Sequence, residues 1–407
     1  MSLETISTGD ELVRGRSVDT NAPWIAEQAA ESGVLRVFHT TVGDDPAALA
    51  DAFRRAARRS DVVVVTGGLG PTEDDHTRVA AAEAAGVDLV EDPELTAWIR
   101  ERFESRGIPL LPKNLVQAYI PAGAEVLPNP LGTAPGFRLE IDGASLFFLS
   151  GVPREMEVMF DAGIRPVLAE RGPGGAYGVV VSFGKPEAWV DERTKDLAGT
   201  HDLSVGITAV LGTIKLTFQA TGPDARERVD AAVGTARERL GDLVLEADTL
   251  AGAVGHLLEE RGLTLATAES CTGGLVGRLL TDVPGISANY LGGVIAYANE
   301  VKEDLLGVPC DLLVEHGAVS AETAEAMAAG ARETLGTDFA VSITGIAGPG
   351  GGTEEKPVGL VWFGFAGPSG VESLSRRLPG DREVVRGFAA NVALQLVRRR
   401  LQTAARP

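Results

Sequence analysis

Two stretches of this chain repeat one event. A short run of small and β-branched apolar residues ends in glycine, and a helical pattern starts at once. The first is DVVVVTGGLGPTEDD from Asp61 and the second is LTLATAESCTGG from Leu263. An unbroken apolar run of this length suits a strand covered on both faces, as in parallel sheets, and parallel neighbours need crossover helices between them. The chain is thereby directed toward α/β layers rather than a helical bundle or an all-β sandwich.

The flanking segments extend the pattern. LETIST reads as a strand that ends at Gly9-Asp10-Glu11, followed by a helix capped near Asp19 and Thr20 and closed by Gly33. VLRVFHTTV is a second strand, and the helix after it has Asp45 as its cap and Pro46 in its first turn. This β-α-β-α-β order predicts a doubly wound α/β domain over 1–172. The cluster Arg171-Gly-Pro-Gly-Gly175 reads as a linker into a small α+β block over 173–248. A second α/β domain is expected over 249–407, with strands at LTLATAE, FAVSITG and VGLVWFGFA and a helix from Asp381 to about Leu401. Trp98 and Phe103 share one helix and read as core residues.

Charge narrows the function classes. Among 407 residues, 57 Asp and Glu outnumber 37 Lys and Arg, for a net charge of −20. Such a surface offers no electrostatic footprint for nucleic acid or for an anionic membrane. Arg398-Arg399-Arg400, a basic run near the end, reads as the solvated last turn of a helix. No stretch approaches the ~20 apolar residues of a membrane helix. Two cysteines cannot build a disulfide framework, and the expected setting is cytoplasmic.

Ligands of open α/β sheets bind where strands end and helices begin. In the first block two such loops carry carboxylates: Asp10 and Glu11 in one, Asp74 and Asp75 after Thr66–Thr72 in the other. Glycine-rich turns let backbone N–H groups close on an anion. Adjacent carboxylates beside a phosphate cradle suit a hard divalent cation, Mg²⁺, Mn²⁺ or Co²⁺. The same carboxylates also suit a first helical turn for dipole reasons alone. In the third block Ser270 follows a strand directly, with Thr272, Gly273 and Gly274 at the start of a helix. A serine at such a turn projects its Oγ near N–H groups able to hold an oxyanion. Tyr297 and Lys302 lie in one segment, AYANEVK, and a desolvated lysine can serve as the base. Cys271 is a rival nucleophile, and plain helix capping is the rival role for Ser270 and Thr272.

STGDELVRG, DTN, VGDD, TGGLGPTEDDHT, NPLGTAPG and GVPREM, in that order, resemble the N-terminal domain of the CinA family, itself related to molybdopterin-binding proteins of the MoaB/MogA type. The resemblance implies metal-dependent cleavage of ADP-ribose to AMP and ribose 5-phosphate. It puts the nucleotide near Gly67, Gly68, Gly70 and Thr72, and the metal on Asp10, Asp74, Asp75 and Glu155. Ser150 stands where the family usually has proline. Further along, AESCTGG, GGVIAYANEVKEDLLGV, GAVS, SITGIAGPGGGTEEKPVG and GDREVVR resemble the CinA C-terminal domain, of the nicotinamide-nucleotide amidohydrolase type. That implies deamidation of nicotinamide mononucleotide, with Ser270 as nucleophile, Lys302 as base and Tyr297 as helper. Thr344 and the loop Gly345, Gly348, Gly350, Gly351 would cradle the substrate phosphate, with Arg382 as an anion partner and no metal. The family's middle segment is KH-like, yet no convincing GxxG loop stands between Ala176 and Glu246, so a spacer or dimerisation role and a homodimer are expected. Two rivals remain: a molybdopterin-type ligand for the first half, and a non-enzymatic adaptor for competence or recombination proteins.

Overall fold

The computed structural model describes residues 1–170 and 174–403. Residues 171–173 of the expected linker lie outside the described residues. Packing divides the chain into two compact units. The first comprises Met1–Gly178, Ala198–Ser204 and Phe218–Ala232; the second comprises Val179–Leu197, Val205–Thr217 and the chain from Val233 onward. The block expected over 173–248 is thus shared out between the two units.

The first unit is built on strands β1 (Ser2–Thr8), β2 (Arg36–Val42), β3 (Val62–Thr66), β6 (Glu125–Leu127), β7 (Gly136–Ile141) and β8 (Ala144–Leu149), ordered β2-β1-β3-β8-β7-β6; β4 (Leu89–Glu91) and β5 (Tyr119–Pro121) form a separate antiparallel pair. β2, β1, β3 and β8 run parallel. Alternate residues of β3 serve opposite cores. Val63 and Val65 pack with Phe53 and Ala80, while Val62 and Val64 pack with Ile25 and Met159. That is why VVVV carries no polar alternation. The far edge departs from a purely parallel sheet: β6 and β7 are antiparallel. β7 is also antiparallel to β8, which it reaches through the two-residue turn Asp142-Gly143, with φ of 50° and 84°, a backbone that joins neighbouring antiparallel strands directly.

A three-stranded sheet, β10-β11-β9, follows from β9 (Gly175–Phe183), β10 (Ser204–Val210) and β11 (Thr213–Thr221). The second unit's main sheet is ordered β13-β12-β14-β15-β16, from β12 (Leu265–Glu269), β13 (Tyr290–Ile295), β14 (Phe339–Gly345), β15 (Leu360–Gly367) and β16 (Gly370–Arg377). Its first three strands are parallel and its last two antiparallel. β12 is also covered on both faces: Leu265 packs with Val254 and Val397, Ala266 and Ala268 with Leu306 and Met327.

Local chemistry sets the helix ends, at Asp45 as the sequence predicts. Asp45 Oδ1 accepts from Ala48 N at 2.8 Å, Thr249 Oγ1 from Gly252 N at 3.0 Å, and Asp381 Oδ1 from Glu383 N and Val384 N at 3.0 Å each. Phe103 is buried, with Trp98 packed against the same core. In the basic run near the end Arg399 and Arg400 are exposed as expected, but Arg398 is not. Arg398 is 3% exposed and donates to the carbonyls of Asp242 and Val244, so it pins a distant turn instead of meeting solvent.

Candidate functional site

In the first unit the carboxyl ends of β1, β3 and β8 open onto a cavity of about 570 Å³. Gly67, Gly68 and Gly70 line it, as do Asp74, Asp75 and Glu155. The loop after β3 is tied from several sides. Thr77 Oγ1 donates to Gly67 O at 2.9 Å, and buried Arg78 donates to Leu69 O and, at 3.0 Å, to Gly70 O. Burial also holds the Arg78 guanidinium below its ordinary pKa. Gly68 sits at φ 67°, and a β-carbon there would come within 2.1 Å of Thr77 Oγ1, so only glycine allows this closure. Ser150 Oγ accepts from Val152 N at 3.2 Å and so steadies the turn after β8.

The four carboxylates expected to hold metal do not converge. Asp10 is absent from the cavity wall and pairs with Arg14 at 2.5 Å. Asp75 spends Oδ1 on Gly70 N at 2.9 Å and Oδ2 on Thr72 N at 2.8 Å and on the Thr72 hydroxyl. Thr72 is therefore a loop clasp off the cavity wall rather than a ligand-facing group. Glu155 Oε2 accepts from Asn129 Nδ2 at 2.8 Å. Asp74 is exposed, and hydrogen bonds from Thr72 and from its own backbone hold its carboxyl below the usual range. Among the described residues no three His, Cys, Asp or Glu side chains form a metal-holding group. The donors present thus do not fit a metal centre made by protein alone. Three further carboxylates line the cavity: Glu11 of the first loop, Asp19, expected only as a helix cap, and Asp44, which the sequence did not single out. Asp44 lies in the VGDD segment, and its carboxylate accepts from Asp10 N at 2.9 Å.

In the second unit Ser270 leaves the end of β12, its N–H donating to Ile343 O at 2.9 Å, and is 9% exposed. The glycine turn then leads into the helix Leu275–Thr281. The residue that shapes this turn was not singled out from sequence. Glu269 is 1% exposed, and its carboxylate accepts from Gly274 N at 3.0 Å, Val276 N at 3.1 Å and Gly277 N at 2.8 Å. Glu269 therefore occupies N–H groups at the helix start that were expected to face an oxyanion. From the other side Arg386 donates to Cys271 O at 3.1 Å and Thr272 O at 2.7 Å.

Lys302, on the helix Asn299–Leu306, is 1% exposed. Its Nζ has only long bonds, to Tyr297 O at 3.3 Å and Ala298 O at 3.5 Å. Burial pulls its pKa down from the ordinary 10.5, partly offset by charge on Cys271 and Glu300. A surface lysine is thus excluded, and Ala296 N donates to Glu269 O at 2.8 Å, which sets the segment carrying Tyr297 and Lys302 beside the residue before Ser270. No hydrogen bond joins Lys302 to Ser270 among the described residues. Burial in apolar surroundings pushes the Cys271 thiol up to about 12, which makes it a poor thiolate source.

Tyr297, Arg382 and the loop after β14 do come together. Arg382 Nη1 donates to Gly348 O at 2.8 Å and Nη2 to Tyr297 Oη at 3.1 Å. Gly350 and Gly351 are exposed in that loop, while Gly345 ends β14. Thr344 is buried and its hydroxyl donates to Ala318 O at 2.6 Å, so it holds a neighbouring loop rather than a phosphate. Thr272 is fully buried, its hydroxyl without a partner among the described residues, and Gly273 donates back to Ser270 O at 3.1 Å.

The model of the CinA C-terminal domain matches residues 247–401, and the one described as "Probable molybdopterin binding domain" matches residues 4–170. A "CinA-like protein" of Geobacter sulfurreducens is 44% identical over 413 residues, covering 99% of this chain and 100% of its own length. The chain belongs to the CinA family. Another CinA-like protein, from Parasynechococcus marenigrum, is also 44% identical, covering 98% of each chain. Among solved structures, a CinA superfamily protein of Klebsiella pneumoniae is 35% identical, covers 38% of this chain and 97% of its own, and gives a TM-score of 0.37. For the competence/damage inducible protein CihA of Agrobacterium tumefaciens the values are 41%, 38%, 94% and 0.37.

Proposed function

We propose that this CinA-family protein is a bifunctional hydrolase whose second unit deamidates nicotinamide mononucleotide through Ser270. The carrying observation is Lys302: a buried, weakly bonded lysine with lowered pKa, on a segment hydrogen-bonded through Ala296 N to Glu269 O, next to Ser270. A lysine so placed is readily neutral, which a base for serine must be. In this reading Ser270 Oγ attacks the carboxamide carbon while Lys302 takes its proton. The same proton passes to the departing nitrogen, ammonia leaves, and water then hydrolyses the acyl-serine ester to the carboxylate. The Tyr297–Arg382–Gly348 cluster supplies a cation and glycine N–H groups for the nucleotide phosphate. This half needs no metal.

For the first unit we propose a nucleotide diphosphate in the cavity at the β1, β3 and β8 ends, cleaved as ADP-ribose to AMP and ribose 5-phosphate. A divalent ion, Mg²⁺, Mn²⁺ or Co²⁺, would be held by one or two of the cavity carboxylates, exposed Asp74 foremost, and would supply neutralisation of the diphosphate charge. A pterin ligand is the second reading for this cavity, favoured by the match over residues 4–170.

The test measures ammonia from nicotinamide mononucleotide and AMP from ADP-ribose with each metal. Ser270→Ala and Lys302→Ala should each lose ammonia release while AMP release persists, and Cys271→Ala should keep both. Normal turnover by Ser270→Ala removes the serine mechanism, and no ammonia release by the unaltered protein revives the adaptor reading. An unaltered ADP-ribose pool with all three metals leaves the first cavity to the pterin.

A further inference from the structure

A second cavity, of about 730 Å³, lies within the second unit, and no residue of the serine site lines it. Phe183, Ile214, Leu378, Phe388 and Val392 give it apolar walls, two of them aromatic. Its volume falls in the range of small-molecule sites, which pair apolar walls with a few placed polar groups.

The placed polar group is Gln395. It lines the cavity, is 6% exposed, and its Nε2 is buried without a hydrogen-bond partner. Arg398 Nη1 faces Gln395 Oε1 at 3.4 Å. Because arginine only donates, the amide oxygen must face Arg398, and the unpaired end is the donor nitrogen. A donor orphaned this deep is uncommon in folded proteins.

Gly184 shows where that donor is wanted. A β-carbon built there would lie 4.0 Å from Gln395 Nε2 and 3.8 Å from Arg399 Nη2. The bare α-carbon, at φ 104°, therefore leaves a notch flanked by an amide donor, a guanidinium and, at 3.8 Å, the Leu243 Cδ2 methyl. Lys185 and Arg376 also line the cavity, as does Arg400, which is paired with Glu372. Glu187 is the one carboxylate among the described lining residues. On a chain of net charge −20 this is a local reversal of sign.

We propose that this cavity binds a small amphipathic anion. Its acidic head sits in the notch at Gly184, accepting from Gln395 Nε2 and Arg399, and its flat apolar body lies against Phe183 and Phe388. The site is separate from both reaction centres and does not depend on their assignment.

Two fluorescent probes of one shape test this on the full chain: anilinonaphthalene sulfonate, and neutral N-phenyl-1-naphthylamine, which lacks the sulfonate. The sulfonate probe should show saturable, blue-shifted binding at one site per chain. It should bind at least about fivefold more tightly than the neutral probe, the equivalent of ~1 kcal/mol. Arg399→Glu and Gln395→Met should each erase most of that difference and leave the neutral probe unchanged. Val392→Trp, which fills the cavity, should remove both probes. Cooperative thermal melts identify the variants that fold, and Arg399→Glu, on an exposed residue, decides the matter if the core variants do not. Equal binding of the two probes, no saturable binding, or unchanged sulfonate binding in Arg399→Glu overturns the proposal.

Discussion

Replacing Glu269 with glutamine tests the serine turn at a buried carboxylate. The carboxylate uses both oxygens: Oε2 accepts from Gly274 N and Val276 N, and Oε1 from Gly277 N. Glutamine has the same shape but one acceptor oxygen. Whichever way the amide is turned, its NH₂ group faces at least one backbone N–H, and that donor is left buried and unpaired. An orphaned buried donor costs about 1–3 kcal/mol. Losing a negative charge at a helix start adds roughly 0.3–1 kcal/mol. The sum, about 3 kcal/mol, corresponds to a melting shift of about 6–12 °C for a unit of this size. Differential scanning calorimetry of the full chain, following the transition of the second unit, reads it. Ammonia release should also fall, because Ser270 leaves the strand through the turn that Glu269 holds. A melting shift under 2 °C would refute the reasoning, since three short bonds to a buried charge cannot be exchanged for an amide so cheaply.

Lys302→Met should remove the burial penalty on the ammonium and stabilise the protein at pH 7 by on the order of 1 kcal/mol. With a folded pKa below 10.5, the unfolded chain keeps a proton that the folded one gives up, so this gain is largest at low pH and shrinks as pH rises to 10.5; urea titrations at several pH values read it, and a gain that grows with pH contradicts the assignment. For the same reason the wild-type ammonia rate should rise with pH and level off below the ordinary lysine range, whereas a profile still climbing at pH 10 speaks against a lysine with lowered pKa. Arg398→Met should cost about 2–4 kcal/mol, because the carbonyls of Asp242 and Val244 both lose a buried donor; a change in urea midpoint matching that of the exposed Arg399→Met excludes the anchoring role.

Features that depend on a few neighbouring residues were legible in the chain. The caps Asp19 and Asp45 act on N–H groups two or three residues away, and VVVV and LATA announce strands buried on both faces. The antiparallel edge of the first sheet was written there too, in Asp142-Gly143, a hairpin signal that the doubly wound expectation passed over. Serine and lysine stood out as a candidate pair because their residue types suit one reaction.

What the chain alone left open was how each side chain would be spent. Thr72 and Thr344 look like ligand groups, yet one clasps Asp75 and the other a carbonyl. Asp10 turns to Arg14, Arg398 goes inward, and Tyr297 meets Arg382 from 85 positions away. Backbone preference decays within a turn or two, so sequence determines elements and their ends. Burial and hydrogen-bond partners arise only when remote segments meet, and those decide whether a carboxylate caps a helix, holds a loop or faces a ligand.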